Sequence, residues 1–251
     1  MGRIKFLNKN IVAMIPARMG SRRLAMKNLA ILNGKPLIYY AIAAAKEAGI
    51  FRRIVVNSEN NIFAKISARY AVEFYKRPVR LATSGAKSDF VVEDFIKKNP
   101  SDILIWINPT SPLQSADEIR KIVSYFLEKG LDSLITVKNE QVHCLYKGKP
   151  VNFMVGEIFS RTQDLIPLQP FVYSIMMWRT KCFNDTLKKR GSAMLCGKSG
   201  FYPVSKLSSL IIKKKEDLML AEFLLRAMKP GTGYKIKYDK IIPTYANEDR
   251  I

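Results

Sequence analysis

The sequence predicts an α/β fold: a mostly parallel sheet with helices on both faces. Three observations carry this. Short, almost wholly apolar runs alternate with longer stretches of helical period along the chain. The runs are apolar throughout rather than every second residue, as expected of strands covered on both faces. Polar loops follow several of them, where ligands of open parallel sheets bind.

Each element follows in order. Ile11-Val12-Ala13-Met14-Ile15 is a buried first strand ending at Pro16, and a polar loop runs from Ala17 to Asn28. Leu37 to Ala48 is an Ala-rich helix with a wide apolar face, stopped by Gly49. Arg53-Ile54-Val55-Val56 is a second strand, Asn60 to Tyr70 a helix and Val72 to Tyr75 a third strand. A polar loop over Lys76 to Lys87 leads to a helix from Asp89 to Lys98. Asp102-Ile103-Leu104-Ile105-Trp106-Ile107 is the most apolar run and is placed centrally. A helix over Ala116 to Lys129 and a strand over Ser133 to Val137 complete the clear alternation. From Lys138 to about Pro170 the pattern weakens to a hairpin or arm. Phe171 to Trp178, Phe201 to Val204 and Leu210 to Ile212 read as strands, and Lys215 to Met228 as an amphipathic helix with Leu218, Ala221, Leu225 and Met228 on one face. The rhythm is Rossmann-like, without internal repeats or low-complexity segments.

Composition narrows the function. The 251 residues carry 42 Lys and Arg against 21 Asp and Glu, a net charge of +21. Such an excess favours anionic partners. The charge is spread along the chain, and no RNP-type aromatic motif or zinc-finger spacing accompanies it, so nucleic acid is not an expected partner. One histidine, His143, argues against a His-based triad or a multi-histidine metal site; the bland reading is a loop or strand residue beside Cys144. Cys144, Cys182 and Cys196 form no C-x-x-C pair and no disulfide framework. The basic N-terminus is followed by Pro16, Arg18 and Ser21 rather than by an apolar core, so neither a signal peptide nor a membrane span is expected, and the setting expected is cytoplasmic.

The loop after the first strand is the chemical centre. Arg18, Arg22, Arg23 and Lys27 place four cations in it, and Gly20 and Ser21 give a backbone that can approach an anion. Such crowding of like charge calls for an anion among them. The Walker spacing is absent, so this is not a P-loop, and the plain alternative is a basic surface turn.

Ile15-Pro16-Ala17-Arg18-x-Gly20-Ser21, Lys27-Asn28-Leu29 and Gly34-Lys35-Pro36-Leu37-Ile38 resemble the cytidylyltransferases that make CMP-activated acidic sugars, the CMP-sialic acid synthetases and relatives acting on other nonulosonic acids and on Kdo. The resemblance continues through Arg77-Pro78, Pro109-Thr110-Ser111-Pro112-Leu113, Glu216-Asp217-Leu218 and Ala221-Glu222, and spans residues 10 to 228. It implies a nucleotide-diphospho-sugar transferase-like fold over residues 1–228, a small dimerisation arm over about 138–180 and a C-terminal extension over 229–251. The implied reaction joins CTP to an acidic sugar, releasing pyrophosphate. Arg18 and Lys27 would hold the triphosphate as the catalytic cations, with Ala17, Gly20, Ser21 and Asn28 beside the nucleotide. Arg77 and Ser88 resemble positions near cytosine and ribose, and Pro109, Thr110 and Ser111 the loop where nucleotide and sugar meet. Asn108, Arg161 and Gln163 fall on the sugar side.

Departures from the family pattern cluster on the metal and sugar side. Magnesium is the family's cofactor, held partly by two acids on a strand before the last helix; Ile211 and Lys213 stand at those positions, and only Asp217 remains. As a strand, the segment would point Ile211 and Lys213 to one side, where Lys213 could supply part of the metal's charge. Asn108, Gln114 and Tyr173-Ser174-Ile175-Met176-Met177 replace a Gln, an Arg and an N-G-A-x-Y strand of relatives, and Met176 and Met177 read as core or interface filling. Turnover with ordinary sialic acid is therefore expected to be weak or absent. The alternative function is a catalytically impaired nucleotide-binding paralogue serving as regulator or partner.

Overall fold

The computed structural model describes residues 9–156, 158–228 and Ile236; the extension over 229–251 otherwise lies outside the described residues. The strands are β1 (Ile11–Pro16), β2 (Ile31–Leu32), β3 (Lys35–Pro36), β4 (Arg53–Ser58), β5 (Glu73–Lys76), β6 (Ile103–Ile107), β7 (Ser133–Val137), β8 (Leu145–Tyr146), β9 (Lys149–Pro150), β10 (Phe171–Arg179) and β11 (Ser199–Pro203). The helices are α1 (Leu37–Ala48), α2 (Ile62–Arg69), α3 (Ser88–Lys98), α4 (Ala116–Glu128), α5 (Thr180–Arg190) and α6 (Lys215–Ala227).

Seven strands form one sheet in the order β11-β7-β10-β6-β1-β4-β5. All neighbours are parallel except β10, which runs antiparallel between β6 and β7. Side-chain alternation sends Ala13, Ile15, Ile105, Ile107 and Ile175 to the face covered by α1, α2 and α4. Val12, Met14, Leu104, Met176 and Trp178 face α3 and α5. Met176 and Met177 are both buried in the sheet and so are core filling.

Local chemistry explains the element ends. The Ser115 side chain accepts the Glu118 amide at 3.2 Å and caps α4, and Asp117 and Glu118 complement the helix dipole in its first turn. Gly49 closes α1 at φ 65°, where a Cβ would be strained.

Three expectations need correction. The arm does not extend to residue 180: Phe171–Arg179 is a strand deep in the sheet, so the irregular segment ends near Pro170. Leu210 to Ile212 is not a strand: the segment is irregular and does not pair with the open edge at β11. The chain instead returns across the loop after β6, where the Ile212 amide donates to the Thr110 carbonyl at 2.8 Å. Ile211 packs against the core while Lys213 is exposed, so the two do not share a face. The sequence reading also missed α5, which buries only Thr180, Phe183 and Leu187 and, apart from partly buried Cys182, otherwise consists of polar residues.

Candidate functional site: a cationic cavity at the carboxyl end of the sheet

The loops after β1, β5 and β6 converge beyond the sheet's carboxyl edge and enclose a cavity of about 300 Å³; the loop after β4, also expected there, does not line it. Pro16, Ala17, Arg18, Ser21, Lys27 and Asn28 line it from the first loop. Arg77, Leu81, Thr83 and Ser84 come from the segment after β5, and Ser88 and Val91 from α3. Trp106, Asn108, Pro109 and Thr110 come from β6 and its loop. Gly20 and Ser111 do not line the cavity. Gly20 is exposed, and the Ser111 hydroxyl lies behind the loop, donating to the Ser208 carbonyl at 2.7 Å. Arg161 and Gln163 sit on the arm away from the cavity, Arg161 Nε donating to Asp164 at 2.9 Å.

The first loop is fixed from beneath. The Ala17 amide donates to the Asn57 carbonyl at 3.0 Å, and the Ala17 carbonyl accepts from Arg77 Nη2 at 2.9 Å. Arg77 is 4% exposed and pairs with Glu59 at 3.5 Å. Burial pushes its pKa below the usual guanidinium value, and the nearby Glu59 carboxylate opposes that shift. Glu59 also accepts the Met19 amide at 2.8 Å. Arg77 therefore positions the loop as well as lining the cavity, and Glu59, which the sequence reading did not single out, is its counter-ion.

The two principal cations are held by neutral oxygens. Arg18 Nη1 donates to the Thr83 carbonyl at 2.9 Å, and Lys27 Nζ to the Ile212 carbonyl at 2.8 Å. Burial lowers the Lys27 pKa, Arg23 and Arg18 lower it further, Asp217 opposes them and Lys213 adds to the depression. The site thus concentrates positive charge with too little negative charge to balance it, and an anion in the cavity relieves this.

The loop after β6 is shaped by Asn108. Its Oδ1 accepts the Thr110 amide at 3.1 Å and the Thr110 hydroxyl at 2.8 Å, while Nδ2 donates to the Tyr173 carbonyl at 3.2 Å. Tyr173 takes φ 58°, a strained value for a bulky residue, at an irregularity in β10.

The donor set does not fit a protein-held magnesium ion. No carboxylate lines the cavity, and no cluster of three His, Cys, Asp or Glu occurs among the described residues. Asp217 Oδ2 is occupied by the Lys213 and Lys214 amides at 2.7 and 2.8 Å, at the head of α6.

Fold and site together define an α/β protein with a cationic cleft at the carboxyl edge of its sheet. The cytidylyltransferase family model matches residues 12–154, more than half of the chain, and the chain belongs to that family. It is 24% identical over 254 residues to the N-acylneuraminate cytidylyltransferase of Streptococcus agalactiae serotype III, a match covering 94% of this chain and 60% of that protein's length. It is 27% identical over 230 residues to post-translational flagellin modification protein B of Campylobacter coli, covering 86% of this chain and 95% of that protein. Among solved structures, CMP:2-keto-3-deoxy-manno-octonic acid synthetase complexed with CTP superposes with TM-score 0.66 at 13% identity, covering 86% of this chain and 98% of that one. The 4-diphosphocytidyl-2C-methyl-D-erythritol synthase of Anaerococcus prevotii superposes with TM-score 0.60, also at 13% identity, covering 87% and 99%. These structural likenesses show a shared nucleotidyltransferase fold. No helix among the described residues is long and apolar enough to cross a membrane.

Proposed function

We propose that this chain couples CTP to an acidic sugar, a nonulosonic or ulosonic acid, giving a CMP-sugar and pyrophosphate. The observation that carries this is the pair Arg18 and Lys27 lining one cavity whose wall holds no carboxylate. In the reaction the sugar hydroxyl oxygen forms a new bond to the α-phosphorus. The bond from that phosphorus to the bridging oxygen breaks, pyrophosphate leaves with the electron pair, and the hydroxyl proton passes to solvent. Phosphoryl chemistry of this kind asks the protein mainly for positioning and charge neutralisation. Arg18 and Lys27 supply both, and the Lys27–Ile212 and Arg18–Thr83 hydrogen bonds hold them in place. Lys213 adds positive charge near Lys27 where relatives are expected to hold a metal. Pyrophosphate release from CTP with a panel of acidic sugars tests the reading. Release with at least one acceptor is expected; tight CTP binding without release from any of them would favour the regulatory alternative.

We also infer a cytoplasmic homodimer assembled through the arm. Ile158, Ile166 and Val155 are 97, 85 and 82% exposed there, an unusual concentration of bare apolar side chains. Light scattering should report twice the chain mass, whereas a strict monomer at high concentration contradicts the assembly.

A further inference from the structure

We propose that Trp106 is a specificity-determining residue of this cavity, its indole N–H donating a hydrogen bond to the nucleoside part of the bound nucleotide. The inference rests on the reading of the cavity as a CTP site. Nothing in the family resemblance singles this residue out; its surroundings do.

Trp106 stands in the central strand, with Met14 and Met176 as its register partners on either side. Ile103, Leu104, Ile105 and Ile107 of the same strand are fully buried, whereas the Trp106 side chain is only half-buried because it lines the cavity beside Val91 and Ser88. Its Nε1 is buried with no hydrogen-bond partner. An indole N–H can only donate, and buried ones almost always find an acceptor. The chain's second tryptophan obeys that rule: Trp178 is fully buried and donates to the Met194 carbonyl at 3.0 Å. A purely apolar side chain at 106 would leave no orphaned donor, so the indole N–H costs stability unless something else accepts from it.

Two other residues of the cavity wall carry buried polar atoms without partners, Asn28 Oδ1 and Arg77 Nε. Both residues are more than nine-tenths buried. Together the three atoms present two donors and one acceptor. An ionised phosphate offers only acceptors and leaves Asn28 unsatisfied. A cytosine carries acceptors together with an exocyclic amino donor, and so can answer both kinds. Leu81 and Val91 give this wall an apolar surface suited to a flat base, while the triphosphate belongs with Arg18 and Lys27. The N–H is buried without the ligand, so the indole has to turn towards the cavity to make this contact.

The chain has only two tryptophans, so intrinsic emission reports on this site against a single buried reference. Titration of the wild-type protein with CTP and with CMP should change the emission in step with saturation measured by calorimetry. Trp106→Phe keeps an aromatic ring, though a smaller one, and removes the N–H. It should abolish that emission change and weaken CTP and CMP by the same factor, about fivefold to tenfold. Unchanged CTP affinity in Trp106→Phe overturns the proposal, as does a loss confined to CTP, which would move the contact to the phosphates. Should the variant fail to fold, wild-type emission that stays constant at calorimetric saturation overturns it alone. Absence of any CTP binding by the wild type is a separate outcome, and it removes the CTP reading and the proposal together.

Discussion

Lys27 carries a stability cost that the proposed binding of CTP would offset. It is partly buried, close to Arg18, Arg23 and Lys213, and its pKa lies below the ordinary 10.5. A lysine whose folded pKa is depressed binds its proton more weakly in the native than in the unfolded chain. It therefore destabilises the unliganded protein at neutral pH, and stability is regained as pH rises from the folded value towards 10.5. Lys27→Met should raise the unliganded protein's resistance to denaturant at neutral pH, lose that advantage on approach to pH 10.5, and weaken CTP. Urea unfolding across that range checks the sign; a variant less stable than wild type at neutral pH would contradict it. The density of cations over Arg18–Lys27 was legible from sequence alone, because like charges crowd a loop only for a reason. Glu59 and Trp106 were not legible: one is a single acid far along the chain from Arg77, the other a large residue inside an apolar run. Only the fold brings Glu59 to Arg77 and Trp106 to the cavity.

At the scale of elements, the sheet reads out of the sequence well where strands are buried on both faces, as in Ile103–Ile107 and Ser133–Val137. It reads poorly where an element owes its place to distant partners. Leu210 to Ile212 looked like a strand by composition, yet the segment over 204–213 serves as a strap over the loop after β6. The Ser205 amide donates to Glu118 at 2.7 Å, the Ser208 hydroxyl to the Leu113 carbonyl at 3.3 Å, and the Ile212 amide to the Thr110 carbonyl at 2.8 Å. Its carbonyl at Ile212 then holds Lys27, so the strap couples two walls of the cavity. The edge strand β11 that launches it depends on Gly200, where an added Cβ would overlap the Leu131 side chain. Gly200→Ala should cost about 1–3 kcal/mol by overpacking. For a domain of this size that lowers Tm by about 2–4 °C per kcal/mol. An unchanged Tm in calorimetry would show that Leu131 gives way freely.

The whole molecule is a scaffold whose two helix layers position loops of opposite demands. The sheet's parallel half supplies the cationic first loop and the turn after β6, while antiparallel β10 brings Tyr173 and the arm alongside. The alternation of strands and helices predicted this architecture; the antiparallel placement of β10 was invisible, because direction within a sheet leaves no mark on the composition of a buried strand. The net charge of +21 fits a polyanionic nucleotide, and the cavity wall carries cations without carboxylates. Calorimetric titration of CTP into wild type, Arg18→Ala and Lys213→Ala, with magnesium present and removed, tests this most directly. The account predicts one CTP site per chain, little change without magnesium, a roughly tenfold or greater loss in Arg18→Ala and a smaller loss in Lys213→Ala. Wild-type affinity in Arg18→Ala, or binding that vanishes once magnesium is removed, would contradict it.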